Sequence, residues 1–76
     1  DTLKTLVDGR VEVLSRRRYP WEPGRVVDLN GELYVVARVE QTLDGRWLAF
    51  RHLLRPLEPG EVIRGQVVRY PGHGEL

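Results

Sequence analysis

Three dipeptides, Asp8-Gly9, Asn30-Gly31 and Asp44-Gly45, cut this chain into short lengths and constrain what it can become. Asp, Asn and Gly tolerate positive φ, and turns built from them match the twist of two flanking strands. Each follows an aliphatic residue (Val7, Leu29, Leu43). Each precedes a charged residue and then an apolar one: Arg10 with Val11, Glu32 with Leu33, Arg46 with Trp47. Two further turns share a second pattern, Trp21-Glu22-Pro23-Gly24-Arg25-Val26-Val27 and Leu57-Glu58-Pro59-Gly60-Glu61-Val62-Ile63. Pro then Gly suits the central positions of a type II turn, so each is predicted to launch a β-branched strand.

Between the turns the period is two. Over 33–40, Leu33, Val35, Ala37 and Val39 alternate with Tyr34, Val36, Arg38 and Glu40, which predicts a half-buried strand. Residues 47–51 are its expected hairpin partner. Val11, Val13 and Ser15 alternate with Glu12 and Leu14, and 25–29 and 62–70 complete five strands. Residues 3–7 read as a sixth strand or a short helix. His52-Leu53-Leu54-Arg55-Pro56 reads as a loop or a single helical turn, stopped by Pro56. This pattern predicts an all-β fold: one small antiparallel barrel of five to six strands spanning 1–76, SH3-like first and OB-type second. The OB-type fold usually needs more residues and a helix between its third and fourth strands.

Composition excludes several alternatives. With 76 residues the chain is one domain, and with no Cys it has no disulfide, thiolate metal site or thiol redox centre. No stretch approaches the roughly 18 apolar residues of a membrane-spanning helix. No basic segment followed by an apolar core opens the chain, so a cytoplasmic location is expected. Arg supplies 11 of the 12 basic residues, and Asn, Gln and Ser are scarce, which fits a thermophile or a GC-rich genome.

The run Pro23-Gly24, six residues, Gly31, one residue, Leu33-Tyr34, one residue, Val36 resembles a pattern in short uncharacterised bacterial SH3-like proteins. Thr42 and the strand from Leu48 to Arg51 fill the places where those proteins carry a Thr and a second strand. The resemblance spans positions 23–52 and rests on turn and core residues. It implies the fold and no activity.

Catalytic chemistry has little to work with. Ser15 is the only Ser, and His52 could reach it only through the fold; a strand-end hydroxyl bonded to the backbone is the simpler expectation. His52 and His73 are the only imidazoles, and a metal site would need Glu58 or Glu61 to converge on His52. The simpler reading makes His52 a polar strand exit and His73 a solvated residue of a loose tail. Glu58, Glu61, Asp28 and Glu32 flank turns, where carboxylates are solvated. The glycines form no phosphate-binding loop. No enzyme activity, metal or small-molecule cofactor is expected.

One cluster stands out: Arg16-Arg17-Arg18-Tyr19-Pro20-Trp21, followed by Arg25. Its guanidinium groups and aromatic rings suit gripping phosphates and stacking a base. If Val11, Val13 and Ser15 face the core, Arg17 would follow them inward unless the strand ends near Ser15. The competing expectation has Tyr19 and Trp21 folding back as a lid over an open barrel end. Charge tempers the nucleic-acid reading. Residues 1–25 carry six basic and four acidic groups (+2), 26–45 one and four (−3), and 46–76 five and three (+2), for a sum of +1. Nucleic-acid binders usually present a basic stripe, whereas segregated charge suits a protein partner at least as well. The first expectation is therefore a protein-interaction or assembly subunit, with a protein partner or self-association. A nucleic-acid-binding module is the alternative.

Overall fold

The three Asx-Gly dipeptides make three different turns. The computed structural model describes residues 1–70. Asn30 and Gly31 both take positive φ (54° and 94°), the central pair of a type I′ hairpin turn. At the second hairpin only Gly45 does so (66°), and Asp44 pairs with Trp47 across the turn. Gly45-Arg46 is thus a central pair with Gly first, as a type II′ turn requires, and Asp44 belongs to the strand. At the third, Gly9 (φ 83°) follows a turn in which its N–H donates to the Leu6 carbonyl at 3.2 Å.

The described residues form six strands: β1 Thr2–Thr5, β2 Val11–Ser15, β3 Val26–Leu29, β4 Glu32–Asp44, β5 Trp47–Pro56 and β6 Val68–Arg69. They make one curled sheet in the order β1-β2-β5-β4-β3-β6, an all-β half-barrel compatible with small SH3- or OB-type barrels. No described helix is long and apolar enough to cross a membrane. Of residues 3–7, expected as a strand or a short helix, 3–5 belong to strand β1 and 6–7 lead into the turn at Gly9.

Two expectations are corrected. Residues 52–56 are not a loop or helical turn but the second half of β5, because β2 and β4 lie on either side: Leu54 pairs with both Val11 and Val36. The strand expected over 62–70 shrinks to Val68–Arg69, and it runs parallel to β3 in an otherwise antiparallel sheet. Both Pro-Gly turns form, with Gly24 and Gly60 at φ 93° and 80° and bonds from Arg25 N–H to Glu22 O and Glu61 N–H to Glu58 O, both at 3.0 Å. Only the first launches a strand. After the second, Arg55 clamps Glu61 through two bonds of 3.0 and 2.7 Å, and Leu57, Glu61 and Val62 lie beside Val26 and Val35.

Strict alternation on β4 also breaks. The ladder with β5 shifts between Val36 and Arg38, so Ala37 is an extra residue, a β-bulge. Val36 and Val39 sit an odd number of residues apart, yet both meet the same core. Without the bulge one of them would face the opposite side of the sheet. That core comprises Val11, Val13, Val27, Leu29, Val36 and Leu54, with Tyr19, Trp21 and Tyr70 laid over it.

Candidate functional site

The Arg-aromatic run divides sharply at one peptide bond. β2 ends at Ser15, whose buried Oγ accepts the Arg17 N–H at 3.0 Å, as expected of a strand-end hydroxyl. This ends the inward-outward alternation before it could carry Arg17 into the core. Arg16, Arg17 and Arg18 are all exposed.

Tyr19 and Trp21 turn the other way. They are 5% and 3% exposed, and their rings stack on each other at 4.6 Å and 15°. Tyr70 meets both edge-on at 5.9 Å. Neither ring keeps a face open for a base, so these two residues are the lid over the barrel end, not a binding surface. The Tyr19 and Tyr70 hydroxyls both donate to the Asp1 carboxylate. Burial pushes both phenols above their ordinary pKa. Asp1 precedes β1 and Tyr70 follows β6, so this carboxylate links the two outermost strands of the curled sheet.

His52 lies beneath this lid. It is fully buried, contrary to the expected polar strand exit. Its Nε2 accepts the Tyr19 N–H at 3.1 Å, which leaves Nδ1–H to donate to the Val13 carbonyl at 3.0 Å. Burial lowers its pKa, the Val13 carbonyl opposes that, and the Arg18 charge lowers it further. Both ring nitrogens are thus committed to backbone. Among the described residues no group of three or more His, Asp or Glu could hold a metal ion. His73 lies outside the described residues.

Arg25 separates from the cluster as well. Its guanidinium reaches the Gln66 carbonyl at 3.5 Å and tethers the segment leading into β6.

In place of the two lost aromatics, the arginine turn meets one that sequence reasoning passed over as a strand residue. The Arg16 guanidinium lies 4.9 Å over the Trp47 ring, and Trp47 is 55% exposed. Trp47 stands at the tip of the β4–β5 hairpin. That hairpin outruns its neighbours: β3 pairs with β4 only as far as Val35, and β2 pairs with β5 only as far as Phe50. Residues 42–49 therefore form a two-stranded arm with no strand on either side among the described residues. Leu43 and Leu48, a cross-strand pair at 71% and 48% exposure, stand on the opposite face of the arm from Trp47. Further in, the outer face carries a line of ion pairs: Arg38–Glu40 at 3.1 Å, Glu40–Arg51 at 3.7 Å and Arg51–Glu12 at 2.7 Å. The signal available in the sequence was Leu43 and Trp47-Leu48 flanking a turn, without enough neighbouring strand to cover them.

No protein-family model matches this sequence, and no curated protein or solved structure shows a significant match.

Proposed function

We propose that this chain is a non-catalytic protein-interaction module that docks an acidic, partly apolar partner on the arm and the Arg16–Arg18 turn. The observation that carries the reading is the half-exposed Trp47 ring with the Arg16 guanidinium over it, on an arm whose opposite face exposes Leu43 and Leu48. Large apolar side chains gathered at one projecting end mark interaction surfaces, and Trp and Arg are the residues on which binding energy concentrates. Arg16 already leans on the Trp47 ring, so a partner carboxylate reaching Arg16 would also lie close to that ring.

The test is affinity capture from the source cell with the wild-type protein and with Arg16→Ala/Trp47→Ala. A partner that the wild type retains and the double variant loses supports the reading. Equal retention by both rejects it.

Nucleic-acid binding is the second reading, because Arg16 lies over a half-exposed Trp47 ring and exposed Arg17, Arg18 and Arg46 neighbour these two residues in sequence. Asp44 and Glu40 on the same arm, and the net charge of +1, weigh against it. Oligonucleotide titration at low and moderate salt separates the two: salt-sensitive binding that Arg16/Arg17/Arg18→Ala abolishes favours nucleic acid, and no binding at low salt removes it.

A further inference from the structure

The arm has an edge as well as a tip. Beyond Val36, which exchanges backbone bonds with Gly24 and Arg25 at 2.8 and 2.9 Å, no described residue pairs with the second edge of β4. Backbone parity fixes which groups that edge presents. Asp44 and Trp47 close the two-residue turn, so Asp44, Thr42, Glu40 and Arg38 direct their backbone bonds to β5. Val39, Gln41 and Leu43 direct theirs outward. An unpaired run of N–H and C=O groups is a template for another strand.

We propose that a second copy of this chain pairs antiparallel with residues 38–44 of β4, with the two-fold axis at Gln41. In that register Gln41 meets the partner's Gln41, Val39 meets the partner's Leu43, and Arg38 meets the partner's Asp44. Glu40 faces the partner's Thr42. No like charges oppose each other, and the ion pair occurs twice by symmetry. The outward groups of Val39, Gln41 and Leu43 all find partners at once. Leu43, the most exposed of the arm's large apolar residues, gains an apolar neighbour on its open side while Leu48 flanks it on the other. Blocking devices are few on this edge: it has no Pro and no Lys, and its one bulge, at Ala37, stands at its inner end. So short a strand pair buries less than the roughly 1,200 Å² of stable complexes, so association is reversible and concentration-dependent.

This inference rests on reading the chain as an interaction module and names a second copy as one partner, held by the edge and not by the Arg16–Trp47 surface. The experiment is sedimentation equilibrium on the purified chain over a wide concentration range. A monomer–dimer equilibrium is expected. Gln41→Pro removes an outward N–H while leaving the bonds to β5 in place, and it should abolish the dimer with circular dichroism unchanged. Arg38→Asp sets two acidic groups face to face twice and should weaken the dimer roughly tenfold, with Arg38→Asp/Asp44→Arg restoring it. A strict monomer overturns the proposal, and so does a dimer indifferent to Gln41→Pro or not restored by the charge exchange. Arg16→Ala/Trp47→Ala should dimerise normally, so failure here and failure of the partner reading are read separately.

Discussion

The two halves of the β4–β5 hairpin are made by the same ladder and do opposite things. The inner half, where Tyr34, Val35 and Val36 face Pro56, Arg55 and Leu54, has β3 on one side and β2 on the other, and Leu54 and Val36 are almost wholly buried. The outer half, where Thr42 to Asp44 face Ala49 to Trp47, has neither neighbour and leaves Leu43, Trp47 and Leu48 in solvent. A two-stranded hairpin alone is marginal in water. The outer half is held by the inner one, and apart from the buried Ala49 it offers Leu43, Trp47 and Leu48 to a partner. If this division is right, damage to the inner half is read as lost stability and damage to the outer half as lost binding.

The largest effect is expected at the boundary between them. Val36→Asp places a carboxylate at the last paired position before the bulge, where the wild-type side chain is 1% exposed. That charge finds no partner in the apolar core around Val36, and the chain should show no cooperative thermal transition. Next come the two tryptophans. Trp21→Ala should cost about 4 kcal/mol, because it opens a cavity inside the aromatic lid. Trp47→Ala should stay within about 0.5 kcal/mol of the wild type in urea unfolding, since the ring is over half exposed. Equal losses at both positions would break the comparison.

His52 tests the inner half through its protonation. Burial first, and the Arg18 charge after it, disfavour the protonated ring in the folded protein, where Nε2 is occupied as an acceptor. Its folded pKa therefore lies below the ordinary 6.5, and the unfolded chain takes up the proton first. The contribution is fully present above pH 6.5 and is lost as pH falls below it. His52→Leu should lose about 3 kcal/mol at pH 8, because it strands the Tyr19 N–H and the Val13 carbonyl. It should also flatten the dependence just below pH 6.5. Urea unfolding at several pH values reads both.

The sequence made the strands legible wherever turn chemistry and alternation agreed, as at Asn30-Gly31 and along 11–15. It misread 52–56 because Pro56 looked like a helix stop, whereas it ends a strand whose preceding residues are paired on both sides. The bulge at Ala37 left no local mark, because Ala fits either face and the extra residue is set by which valines the core requires. The site was legible by halves. Arg16 to Arg18 had to leave the strand, but only the fold could show that Tyr19 and Trp21 close over His52 and that Trp47 takes their place beside Arg16. Adjacent positions in a run of six share no environment once the chain turns back over the core between them.

The smallest effect is expected on the outer face of the inner half, where the second Pro-Gly turn is held down. Arg55 bonds both carboxylate oxygens of Glu61, and one of those oxygens also accepts the Glu58 N–H at 2.9 Å. The Arg55 pairing first, and the Glu58 N–H second, hold the Glu61 pKa down at about 2 against an ordinary 4.5. A carboxylate depressed in the folded state stabilises the fold fully above its unfolded value and loses that contribution as pH falls from 4.5 toward 2. Glu61→Gln keeps an acceptor for the Glu58 N–H but removes the charge. It should leave the slope of stability just below pH 6.5 intact, since that belongs to His52, while flattening the slope between 4.5 and 2. Both partners keep some contact with water, so the loss at neutral pH should be the least of those predicted here. A variant that flattened both windows would mean that releasing the turn beside Val26 and Val35 also opens the lid over His52, and the inner half would then have to be treated as a single coupled block.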